Sequence, residues 1–177
     1  MILQTKLHPP PLAHDLLARP RLAVRLDAAL TTTLTLVAAP AGYGKTSLVT
    51  GWLATPSGPA RGERGQSSAS HICWLSLDAY DDDPNRFWQG VLAALQRAVP
   101  GLGVEMASHL DKPALPPPPQ LLATLLNEVA ALPQALLLVL DDYHHVADRA
   151  IHDGVRYLLD HAPPQLHLLL TTRADPP

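Results

Sequence analysis

The sequence predicts an α/β domain, a parallel sheet of about four core strands with helices on both faces, and three observations predict it. Apolar runs alternate along the chain with amphipathic helical stretches, the pattern of strands covered on both sides. A glycine-bearing turn, Ala39 to Thr46, stands between the first apolar run and the helix that follows it. Two aspartates, Asp141 and Asp142, close the most apolar run, Leu136 to Leu140.

Each element has its own signal. Residues 1–18 contain several prolines and read as irregular. Pro20 suits the first turn of a helix that carries Leu22, Leu26, Ala29 and Leu30 at helical spacing. The first strand falls at about 33–38, and the helix after the turn runs to about residue 54 with Leu48, Val49, Trp52 and Leu53 on one face. Pro56 to Ser70, rich in Gly, Ser and Arg, reads as a mobile surface loop. His71 to Leu77 is the second strand, and Pro84 opens a helix carrying Phe87, Trp88, Val91, Leu92 and Leu95, ended by Pro100. Asp111 to Pro119 includes four consecutive prolines and reads as a stiff connector. A helix with Leu122, Leu125, Leu126 and Val129 leads to the strand Ala135 to Leu140. Ile151, Val155, Leu158 and Leu159 mark the last helix, and Leu166 to Leu170 the last strand. The chain divides into a leading segment and helix, 1–31, and a core, 32–177.

Composition excludes several classes. A length of 177 residues suits one domain. The formal charge of -3 offers no general attraction for a polyanion, so direct DNA binding by this chain is not expected. Cys73 is the single cysteine, which leaves no disulfide framework or cysteine metal site, and its apolar neighbours make it a small buried hydrophobe. No signal peptide and no run of ~18 apolar residues is present, so the chain reads as cytoplasmic without a membrane partner. Nine histidines show no metal-binding spacing. The adjacent His144 and His145 are expected to send their rings apart as polar loop residues. Asp81, Asp82 and Asp83 precede Pro84 and read as caps of the helix start. No G-x-S-x-G elbow is found.

The turn carries the chemistry. Ala39-Pro40-Ala41-Gly42-Tyr43-Gly44-Lys45-Thr46 departs by one residue from the phosphate-binding pattern G-x-x-x-x-G-K-[ST]. In such a Walker A loop, backbone N–H groups at a helix start face the phosphates. Here Ala41, Gly42, Tyr43, Gly44, Lys45, Thr46 and Ser47 would supply the cradle. Gly42 and Gly44 can take positive φ, Lys45 would reach the β- and γ-phosphates, and the Thr46 hydroxyl would ligate Mg²⁺. Asp141 would hold the hydrated Mg²⁺ as the Walker B acid, and Asp142 could orient or polarise the attacking water. A plain glycine turn and a pair of turn-capping aspartates are the alternatives. Arg173 ends a strand resembling the sensor strand of P-loop ATPases, where it would contact the γ-phosphate; an ordinary exposed arginine is the alternative.

The motifs together resemble the N-terminal ATPase module of the STAND class, NACHT and AAA-like, of the large LuxR-type ATP-dependent transcriptional regulators. Thr5-Lys6-Leu7, Arg19-Pro20-Arg21-Leu22, Ala38 to Thr46, Trp74 to Asp78, Asp83 to Trp88, Leu140 to His144 and Arg173 to Pro177 carry the resemblance, in the family's order. The family's loop also begins with alanine. The resemblance implies an ATP/ADP switch with Mg²⁺, weak hydrolysis, self-association in the ATP state, and placement of Arg19 to Arg21 near the adenine. It also implies a chain that stops after the sensor strand, without the fifth strand, the winged-helix portion and the inducer- and DNA-binding domains. Hydrolysis in such a truncated chain would be slow or lost. Two other readings remain: a small-molecule kinase with Arg61-Gly62-Glu63-Arg64 as a lid, and an interaction module without turnover.

Overall fold

The computed structural model describes residues 2–12, 19–55, 58–59, 70–112 and 114–177. Most of the expected Pro56 to Ser70 loop, including Arg61 to Arg64, lies outside the described residues. The four apolar runs are strands: β1 (Leu34–Ala38), β2 (His71–Ser76), β3 (Leu136–Asp141) and β4 (Leu166–Thr172). They form one parallel sheet in the order β1-β4-β3-β2. Register is set by alternation, since successive side chains point to opposite faces. Leu136, Leu138 and Leu140 enter one apolar cluster with Cys73, Leu75, Leu168 and Leu170. Leu137 and Val139 enter the other with Trp74 and Leu169.

Among the described residues six α-helices cover the faces: α1 (Pro20–Leu26), α2 (Lys45–Leu53), α3 (Pro84–Ala98), α4 (Val104–Leu110), α5 (Pro118–Ala130) and α6 (Arg149–Asp160). α1 and α2 pack on the face of Leu137 and Val139. A hydrogen bond from Trp52 Nε1 to Asp27 Oδ1 (2.9 Å) ties the chain just after α1 to α2. α3, α4, α5 and α6 supply the larger cluster on the other face through Phe87, Trp88, Met106, Leu122 and Ile151. β1 is an edge strand, and it presents Leu34 and Leu36 to solvent.

Besides α4, which the sequence did not indicate, three segments differ from the expectation. The N-terminal segment is not simply irregular: Gln4–Leu7 is a 3₁₀ turn with Leu7 buried. Lys6 pairs there with Asp78 (2.8 Å) and Asp81, and Arg97 Nη1 donates to the Leu7 carbonyl (3.1 Å). The proline run is only half connector, because Pro118 and Pro119 form the first turn of α5, where a missing N–H costs no helical hydrogen bond. The three acidic residues have separate tasks. Asp83 caps α3 by accepting from Arg86 N, Asp82 accepts from the amides of Ala147 and Asp148, and Asp81 accepts from Lys6 and the Asp78 amide.

Candidate functional site

The C-terminal ends of β1, β3 and β4 share one rim of the sheet, where ligands bind in open α/β folds. Between β1 and α2 the chain turns through Gly42 (φ 81°) and Gly44 (φ 73°), both left-handed. A Cβ at Gly42 would meet nothing within 4 Å, so the backbone angle rather than crowding calls for glycine there. Ala41, Gly42 and Tyr43 are exposed. The first turn of α2 has no side-chain cap. The α3 and α6 starts, by contrast, are capped by Asp83 and Asp148. The leading amides of α2, Lys45, Thr46 and Ser47 among them, therefore keep their hydrogen-bonding capacity for a ligand. Lys45 is buried, and its Nζ donates to the carbonyls of Ala39 (2.8 Å) and Pro40 (3.3 Å).

The acidic partner stands across the rim. The Thr46 hydroxyl donates to Asp141 Oδ1 (2.9 Å) and approaches Oδ2 (3.1 Å), joining residues 95 positions apart. Thr171 Oγ1 donates to Asp141 Oδ1 (2.6 Å) and accepts from the Asp142 amide (2.8 Å). Burial pushes the Asp141 carboxyl above the usual carboxylate range, and the charge of Asp142 adds to the rise; the Thr171 and Thr46 hydroxyls and Lys45 offset part of it. Asp142 is left-handed (φ 59°), the one non-glycine with positive φ among the described residues. Thr46 and Asp141 are hard oxygen donors. They fit Mg²⁺, which takes one or two protein oxygens beside phosphate and water.

The expectation that the His144 and His145 rings point apart is overturned. A 3₁₀ turn, Tyr143–His145, brings their centroids to 4.4 Å. His144 Nδ1 lies 3.7 Å from Asp142 Oδ1, too long for a hydrogen bond. Burial, then the charges of Arg173, His145 and Lys45, hold the His144 imidazole below its ordinary pKa, against the opposing field of Asp142. Arg173 itself is exposed beyond the end of β4. Arg19, placed by resemblance near the base, donates from Nη1 to the Tyr43 carbonyl (2.8 Å) and so braces the turn. The links made by Arg19 and Thr171 were not foreseen from the sequence; the hydroxyl ending β4 was the one local signal available for Thr171.

A parallel sheet with this helix-starting loop at its rim defines the class: the fold is that of an α/β P-loop NTPase. Over 177 residues, its whole length, the chain is 36% identical to the HTH-type transcriptional regulator MalT of Serratia proteamaculans. It is 34% identical over 176 residues to MalT of Cronobacter sakazakii, and it spans 18% of the length of each of these curated relatives. The crystal structure of Cdc6p from Pyrobaculum aerophilum superposes on 98% of the chain, using 44% of its own, with a TM-score of 0.54 and 14% identity, a likeness of fold. No protein-family profile matches the chain. No described helix is long and apolar enough to cross a membrane.

Proposed function

We propose that the chain binds ATP or ADP with Mg²⁺ on this rim and serves as the nucleotide switch of a signal-responsive transcription regulator, with slow hydrolysis. One observation carries the nucleotide reading: the uncapped start of α2, the Lys45 ammonium and the Thr46–Asp141 pair stand together at one strand end. Bound Mg²⁺ would neutralise phosphate charge. The chain's own groups do the rest. The amides of Ala41 to Ser47 receive phosphate oxygens, Lys45 exchanges its bonds to the Ala39 and Pro40 carbonyls for phosphate, and Thr46 and Asp141 hold the metal. Asp142 orients water, and Arg173 is the candidate for reading the γ-phosphate. On this reading residues 1–31 lead into a nucleotide-binding core at 32–177.

The regulatory half of the proposal draws on the similarity to the MalT regulators. Self-association in the ATP state belongs to the same reading. Titration of a fluorescent ATP analogue with and without Mg²⁺ tests the site. Lys45→Ala is expected to weaken binding at least about 10-fold, or ~1.4 kcal/mol, and equal affinity of variant and parent would overturn the assignment.

A further inference from the structure

We infer that Thr171 is a positioning residue that locks the metal-holding carboxylate of Asp141 to the turn presenting Asp142, so that one hydroxyl sets both acids. The inference rests on the nucleotide reading above and adds a residue to it. Thr171 is fully buried at the end of β4, the strand between β1 and β3. Because its Oγ1 accepts the Asp142 N–H (2.8 Å), its own hydrogen is directed to Asp141 Oδ1 (2.6 Å). A short bond to a carboxylate is among the stronger hydrogen bonds in proteins. Both directions of the hydroxyl are thereby used, and neither bond can be kept by an aliphatic side chain.

The second bond has a specific task. Asp142 sits in the left-handed region, which is strained for a non-glycine residue and persists only where surroundings hold it. The Thr171 hydroxyl holds the amide of that residue, and the Asp142 carbonyl accepts from His145 N (3.1 Å) on the other side of the turn. The first bond orients Asp141 toward Thr46 in the loop between β1 and α2, so that Oδ1 receives hydroxyls from both sides. Loss of the hydroxyl therefore disturbs two carboxylates together, while Lys45 and the α2 amides keep their own supports.

The test compares Thr171→Val, which keeps the shape and removes the hydroxyl, with Thr171→Ser, which restores it. Affinity for a fluorescent ATP analogue is measured in EDTA and in Mg²⁺. Thr171→Val is expected to lose the Mg²⁺-dependent gain in affinity by about 10-fold, with a smaller change in EDTA, and Thr171→Ser to recover it. Amide hydrogen exchange in the nucleotide-free protein gives a second readout, with the Asp142 amide protected in the parent and in Thr171→Ser. An unchanged Mg²⁺ gain in Thr171→Val, no recovery in Thr171→Ser, or an Asp142 amide in the parent that exchanges as fast as an open one would overturn the inference. The exchange result decides should Thr171→Val fail to fold. Lys45→Ala binding as the parent does would instead overturn the nucleotide reading itself.

Discussion

Asp141 is a carboxylate kept almost wholly from water, 3% exposed, and the fold is less stable for its charge. Burial, the largest effect on it, raises its pKa. The native chain thus retains the proton over a pH range in which the unfolded chain has released it. Stability consequently falls as pH rises from the ordinary carboxylate value, about 3.9, through the raised native one, and the loss is complete above that. Asp141→Asn removes this dependence. The variant is expected to melt above the parent at pH 7, with the difference closing toward about pH 4, while its Mg²⁺-dependent nucleotide affinity is lost. Calorimetry at the two pH values checks it, and a difference independent of pH would refute the electrostatic account. The left-handed turn between β1 and α2 was legible because eight consecutive residues spell it, and the place of Asp141 and Asp142 at the sheet rim because they close an apolar strand. Thr171 was not, since its role arises only when β3 and β4 pair and bring residues 30 positions apart into contact.

Helices and strands with strong periodicity could be read directly, and α3 and α6 place their apolar residues on the core as spacing demands. α4 escaped, because its seven residues bury only Met106 and Leu110 and its start is a left-handed glycine, Gly103, without a capping side chain. The α3–α6 contact also depends on something periodicity does not report. A Cβ built on Gly154 of α6 would stand 2.6 Å from Trp88 Cζ2. The indole has little room to retreat, being buried with Phe87 edge-on to it at 5.0 Å. Gly154→Ala would gain up to about 1 kcal/mol of helix propensity, and the overpacking costs roughly 1–3 kcal/mol. The clash wins. The variant is expected to unfold at lower urea, with a loss of up to about 2 kcal/mol; an unchanged or higher midpoint would show that the indole yields freely.

Across the molecule the two edges of the sheet are treated differently. The β2 edge has the N-terminal 3₁₀ turn beside it, fastened by Lys6 to Asp78 and Asp81. At the β1 edge Leu34 and Leu36 are each 39% exposed. They share a face with their β4 partners Leu168 and Leu170, which are buried under the helices of that side. This edge runs directly into the turn between β1 and α2.

Cys73 lies on β2 beside Leu138 of β3, with no exposed surface, and burial pushes its thiol up to about 12. As the chain has one cysteine, a thiol-reactive dye near neutral pH meets its target only when the sheet comes apart. The residue is a built-in clock for opening. Labelling of the native chain is expected to run far more slowly than in denaturant, and ATP with Mg²⁺ at about 100 times Kd should slow it a further ~100-fold where opening releases the ligand. Lys45→Ala, binding at least about 10-fold more weakly, should slow labelling by no more than about 10-fold at the same concentrations. Labelling as fast in the native chain as in urea would mean that the strand pair opens on its own, and the sheet would then be a far looser frame than its packing indicates.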